Sequence, residues 1–259
     1  MLAEALFYPF VLARRRPIAV GIALAAQLVI AATVQEAWAN TIGEPDNPFF
    51  RFAVEGPLLG IAYFLVRSVA QSLPVALVFV AAAADLGFRT LNFKVGDVLR
   101  VCVLGVLYGL VFVVPPSLVQ RPLADLARPF WGAYASWAVS VPFFILQSAA
   151  FSLFFLSWPR SIAIERLSIF PTWRLSNRAA MSAAVIFAVA IGTSVVSYLG
   201  SWVDFLIFKF VGGSVDGWFL SSAIFEWPRI LGVYLIDAAS FAIYAHVMPQ
   251  RPERVADHF

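Results

Sequence analysis

The chain has 259 residues, of which 61% are hydrophobic and 13% charged, with a mean hydropathy of +0.85. An ordinary soluble domain is about 25% charged, and no soluble fold of this size has an interior that could hide so much apolar surface, so lipid must be part of its solvent. The net charge of +3 and the pI near 9.2 are what the basic loops of a membrane protein supply, and they do not point to nucleic acid.

Residues 2–13 are apolar but too short to span, and Pro9 interrupts them. They predict an interfacial segment that leaves Arg14, Arg15 and Arg16 at the lipid headgroups. The first span is expected at residues 17–37, where Gly, Ala and Gln27 form a small-residue face suited to close packing. Basic residues, an apolar run and Ala37-Trp38-Ala39 imitate a secretory signal. The run is longer than the usual h-region of about 7–15 residues, and apolar residues precede the arginines, so the segment reads as a retained helix. Residues 40–55 are an acidic, proline-broken loop.

The second span, residues 56–84, exceeds the roughly 20 residues a bilayer needs, and Pro74 gives it a place to bend. A polar link at 85–100 leads to the third span at 98–118, which ends near Pro115-Pro116. The loop 119–130 comes next, then the fourth span at 131–158 with Trp at both ends as interface anchors. Residues 161–178 form the longest basic connection. The fifth span is expected at 179–202 and the sixth at 218–247, with a polar tail at 248–259. The chain thus reads as all-α, a single polytopic membrane domain over residues 1–259.

Six spans place both termini on one side. Twelve Lys and Arg fall on that side, namely Arg14, Arg15, Arg16, Arg89, Lys94, Arg100, Arg160, Arg166, Arg174, Arg178, Arg251 and Arg254. Four fall on the other (Arg51, Arg121, Arg128 and Lys209), while Arg67 and Arg229 lie within spans. The positive-inside bias therefore puts both termini in the cytoplasm. Basic lead-ins at Arg14–Arg16, Lys94–Arg100 and Arg174–Arg178 recur about every 80 residues, each before a pair of spans, which predicts three helical hairpins.

Residues 163–181, AIERLSIFPTWRLSNRAAM, resemble a stretch found in bacterial six-span proteins related to the membrane domain of glycerophosphoryl diester phosphodiesterases. The likeness rests on acidic Glu165, the apolar link Ile169-Phe170 and the step Trp173-Arg174-Leu175. Beyond that step the match is partial, carried by Asn177 and Arg178. Residues 241–247, FAIYAHV, are similar to the family's final span. The resemblance implies a six-span architecture without an attached phosphodiesterase domain, and it assigns no activity.

Little in the sequence offers catalytic chemistry. His246 and His258 are the only histidines and Cys102 the only cysteine, so no metal-ligand spacing, no cofactor motif and no disulfide is readable. There is no G-x-S-x-G, and Gly212-Gly213-Ser214 lacks the G-K-[ST] of a phosphate loop. The informative set is intramembrane: Arg67, Gln71, Glu226, Arg229 and Asp237. Counted from the cytoplasmic ends at about 1.5 Å per residue, Arg67 and Glu226 lie near the outer interface and Asp237 near the midplane. One reading is a polar pathway with Asp237 as a proton or cation site. The other is a packing network, with Asp237 hydrogen-bonded to Gln71, Gln147 or a serine.

Arg174 and Arg178, beside Trp173, have a topological reading and a second one as partners of anionic phospholipid headgroups. The function expected is that of a non-enzymatic envelope or lipid-linked accessory. A small transporter or channel subunit and a membrane-embedded lipid enzyme are the alternatives. A membrane-protein partner and self-association both stay open.

Overall fold

A computed structural model describes residues 2–42, 57–132, 135–169 and 215–247; the expected fifth span and the tail lie outside them. The described residues are mostly helical and contain no strand. Among the described residues three helical stretches are long and apolar enough to cross a membrane: Leu65–Asp85, Val95–Gln120 and Ile230–Val247. Pro17–Ala31 and Val141–Phe151 are shorter apolar helical stretches.

The first helix, α1 (Leu2–Arg15), buries Ala5, Tyr8 and Leu12, spaced to share one face. Its opposite face is also apolar but exposed: Leu6, Phe7, Phe10 and Val11, with Phe7 66% and Phe10 63% accessible. A bend at Arg16 separates α1 from α2 (Pro17–Ile42). Pro17 opens α2, where its missing N–H is no loss. The buried face of α2 carries Val20, Ala23, Gln27 and Ala31, and Ile18, Ile22 and Val29 point outward.

α3 (Pro57–Asp85) is the hub, in contact with α1, α2 and most of the later helices. Its end is buried on every side from Val78 to Ala83, because small alanines let neighbours approach closely. The helix closes in a Schellman-type turn: the Phe88 N–H donates to Ala83 O at 2.9 Å, and Gly87 takes φ +76, a left-handed conformation that suits glycine.

The next helix differs from the sequence expectation. α4 (Val95–Tyr108) begins inside the predicted polar link, so Asp97 and Arg100 are helical. A π-helical turn, Gly109–Val113, comes after it, closed by Val114 N–H donating to Gly109 O, and α5 (Val114–Trp131) continues from there. Pro115-Pro116 therefore does not end the helix, because the wider turn absorbs two residues that have no N–H to give one turn back. The predicted loop 119–130 is helix, packed against α6 (Ala135–Phe154).

The expected fourth span also breaks early. Phe155 and Leu156, both fully buried, make a turn into the short α7 (Ser157–Ala163), which packs against α3, α4 and the last helix. That last helix, α8 (Val215–Val247), packs on α1, α2 and α3 and is buried on every face from Ala238 to Tyr244. Phe241 lies at the centre, with ring centroids 6.2 Å from Phe79, 5.7 Å from Phe88 and 5.8 Å from Tyr244. A second aromatic group joins α4 to α6 and α7: Tyr108 meets Phe151 and Trp158, and its hydroxyl donates to Gln147 O at 2.7 Å.

Phe241→Ala removes a side chain with no accessible surface at the meeting point of α3 and α8. The expected loss is about 3–5 kcal/mol, read as a lower midpoint of unfolding in detergent, with Phe241→Leu losing less than half as much.

Candidate functional site

The polar residues of the described structure gather in two places. One is the basic end of the helices, where α3 closes and α4 opens. Asp97 sits in the first turn of α4, fully buried, and accepts from Arg89 Nη1 at 2.9 Å and Arg100 Nη1 at 2.8 Å. Its other oxygen accepts from the Lys94 backbone N–H at 3.0 Å, so the carboxylate also caps the helix start. Arg89 reaches further, to Asn92 O and to Glu165 at 3.7 Å. Its Nε is buried without a hydrogen-bond partner.

Glu165 closes this cluster from the other side. It lies just past α7 at φ +55, which strains a residue with a Cβ. Lys94 Nζ meets Glu165 Oε2 at 2.8 Å and thereby ties the α3–α4 turn to the segment after α7. The Lys94 hydrogen bond holds the Glu165 carboxyl below its ordinary range, helped by the Arg89 and Arg100 charges. Ser161 braces the same segment: its hydroxyl donates to Ser168 O at 3.1 Å and accepts from the Ser168 N–H at 2.8 Å.

A smaller clamp docks α1 on the same end. The Tyr8 hydroxyl donates between Asp85 Oδ2 at 3.2 Å and Ala82 O at 3.4 Å. Arg15 Nη1 meets the buried Asp85 carboxylate at 3.4 Å. Burial, then the Asp85 charge, raises the Tyr8 hydroxyl above its ordinary value, so it remains a donor. The Tyr234 hydroxyl on α8 donates to Pro9 O at 2.6 Å, and His246 lies 3.4 Å from Glu4.

The second place is the apolar run of α3 and α8, which carries Arg67, Gln71 and Asp237 of the candidate network at different depths. Arg67 and Gln71 lie on α3, each half-buried, and Asp237 lies on α8, also half-buried. With Phe79 set against Phe241, Val75 comes level with Asp237 and Gln71 lies one turn further out. Glu226 and Arg229 belong to α8, but their side chains lie outside the description, as do Arg174 and Arg178 altogether. Among the described residues nothing hydrogen-bonds the Asp237 carboxylate; only its backbone oxygen accepts, from Ser240 Oγ at 2.7 Å. Gln147 lies on α6, where among the described residues only its backbone oxygen is bonded, by the Tyr108 hydroxyl, and its side chain makes no hydrogen bond to Asp237.

Two features escape the sequence reading. Asp97 is hidden among three basic residues, although an acid in the first turn of a helix, flanked by Arg89 and Arg100, is a readable capping signal. Gln27 reads only as part of a packing face, and it is 4% exposed. Among the described residues no three His, Cys, Asp or Glu gather to hold a metal, and Cys102 is a half-buried free thiol. No family model, no curated protein and no solved structure matches the chain.

Asp97→Asn leaves two guanidiniums facing a neutral amide. Breaking a buried pair this way costs about 3–5 kcal/mol, and the detergent unfolding midpoint is expected to fall accordingly. Because the Glu165 carboxyl is depressed in the fold, its contribution is present above its unfolded value of 4.5 and is lost as pH falls through the lower folded value. Lys94→Gln is expected to flatten that acid-side loss in an unfolding series over pH.

Proposed function

We propose that the chain is a six-span protein of the bacterial inner membrane, with both termini in the cytoplasm, acting without catalysis as a lipid-linked accessory of the envelope. The observation that carries this reading is α1. One face of the helix docks on the bundle through Tyr8, Pro9 and Leu12, while Leu6, Phe7, Phe10 and Val11 face away from the protein. A helix that is apolar on both sides, with one side exposed among the described residues, belongs against acyl chains.

The charges agree with that placement. Arg14 and Arg15 are exposed at the end of α1, and Arg16 sits at the bend. Asp85 holds Arg15, which leaves Arg14 and Arg16 as the headgroup contacts. α1 lies along α8 between Tyr234 and His246, on the side of a helix that crosses the apolar layer, so its outer face meets lipid and its arginines meet the interface. The topology count assigns Arg174 and Arg178 to the same side. The resemblance of residues 163–181 to six-span membrane domains belongs to this reading.

Two measurements test it. In a Cys102→Ser background, Asp46→Cys is expected to react with an impermeant maleimide from outside, and Arg166→Cys only after permeabilisation; the reverse pattern overturns the topology. The purified protein is expected to retain phosphatidylglycerol over phosphatidylcholine. Changing Arg14 and Arg16 to Gln is expected to lower that retention by about fivefold for each charge, since an arginine near an anionic surface contributes about 1 kcal/mol. Equal retention of both lipids by the unaltered protein overturns the lipid reading.

A further inference from the structure

α2, α3 and α8 pack against one another in all three pairings. Val20 and Ala23 of α2 share one core with Phe79 to Ala83 of α3 and with Phe241 to Tyr244 of α8. Gln27 continues the Val20–Ala23 face one turn deeper, and it is the most polar residue between Arg16 and Gln35. It lies ten residues past Pro17, and Asp237 lies ten residues before Val247. Both are therefore about 15 Å from the basic end at 1.5 Å per residue. Gln71 and Ser72 of α3 lie about one turn further from that end, next to Pro74, which gives no N–H to Ala70 O.

Around this depth the buried residues of α8 are apolar, with Ile236 before Asp237 and Ala238 and Ala239 after it. Neither the Gln27 amide nor the Asp237 carboxylate has a side-chain hydrogen-bond partner among the described residues. In hydrocarbon such groups are costly, and they persist where they face one another, a ligand or water. An amide oxygen and a carboxylate together offer oxygen donors and one negative charge, which a single positive charge balances.

We propose that Gln27 and Asp237 form a site for one monovalent positive charge, a sodium-sized cation or a proton, held between α2, α3 and α8. The site goes beyond the lipid reading and uses none of its arginines. The other ionisable groups around it are engaged elsewhere or lie at other depths. Tyr8 of α1 donates to Asp85 of α3, Tyr234 donates to Pro9, and His246 faces Glu4. Arg67 is two turns further out along α3, and Tyr244 and Arg160 lie toward the basic end. α2 has no ionisable residue between Arg16 and Glu36. α1 covers the route from that end, since Pro9 O binds Tyr234 one turn from Asp237.

The experiment uses the full chain in phosphatidylglycerol-containing nanodiscs. The unfolding midpoint is followed from pH 5 to 9 in sodium chloride and in choline chloride, and modification of Asp237 by dicyclohexylcarbodiimide is followed by mass spectrometry. A sodium-sized cation is expected to raise the midpoint in sodium over choline and to slow Asp237 modification at least fivefold. A proton is expected to give a pH dependence of both readouts that is the same in the two salts. Asp237→Asn is expected to abolish either response, and Gln27→Leu to weaken it at least threefold while the protein stays folded. Identical pH and salt responses in the unaltered protein and Asp237→Asn overturn the site, as does a Gln27→Leu variant indistinguishable from the unaltered protein. Phosphatidylglycerol retention, measured on the same samples, reports separately on the lipid reading.

Discussion

Asp97 is the point on which the basic end of the molecule depends. A carboxylate with no accessible surface survives only if its lone pairs are satisfied, and here two guanidiniums and one backbone N–H satisfy them. That single requirement fixes the α3–α4 turn, because Arg89 must fold back from just beyond Gly87 to reach it. It fixes the start of α4, because the same carboxylate caps the helix. Through Arg89 and Lys94 it also fixes the segment after α7, where Glu165 accepts a strained backbone to complete the pairings. The strain at Glu165 is local, and the two cations it meets offset it.

Above this end the helices are held by shape. α3 and α8 both run through stretches buried on all sides, and both are built there from alanine with a few aromatic rings set between them. Lipid gives no hydrophobic drive for helix association, so close contact must supply the attraction. Small residues bring the backbones near, and Phe79, Phe88 and Phe241 fill what remains. α1 then covers the side of α8, docked by Tyr8 and Tyr234, whose hydroxyls find carbonyl and carboxylate acceptors that a purely apolar helix would not offer.

Much of this was legible in the sequence, for physical reasons. Long apolar runs have one solution in lipid, so the helical class and the starts of α2 and α3 follow from composition and spacing. Helix breaks were harder to read. Pro115-Pro116 looks like a stop, yet a π turn can carry two prolines. Phe155-Leu156 carries no Gly or Pro and still breaks the helix, because α7 must turn beneath α3 and α4. Pairings distant in sequence were not readable at all. Lys94 and Glu165 are 71 residues apart, and nothing local marks them as partners. Arg89, Lys94 and Arg100 read as the basic residues of one polar link, but a topology count has no place for the buried acid that binds them.

Two carboxylates of the described structure make the decisive contrast. Asp97 is fully surrounded by cations and a helix start, so it is a fixed structural charge. Asp237 is half-buried in the apolar helix α8 and has no side-chain partner among the described residues, while Ala238 and Ala239 follow it and buried Gln27 lies as many residues from the basic end of α2. Were Asp237 there for packing alone, an apolar residue would fit between α2, α3 and α8 at lower cost, as alanine does at the next two positions. A half-buried carboxylate among such neighbours is what the proposed positive charge at Gln27 and Asp237 would balance.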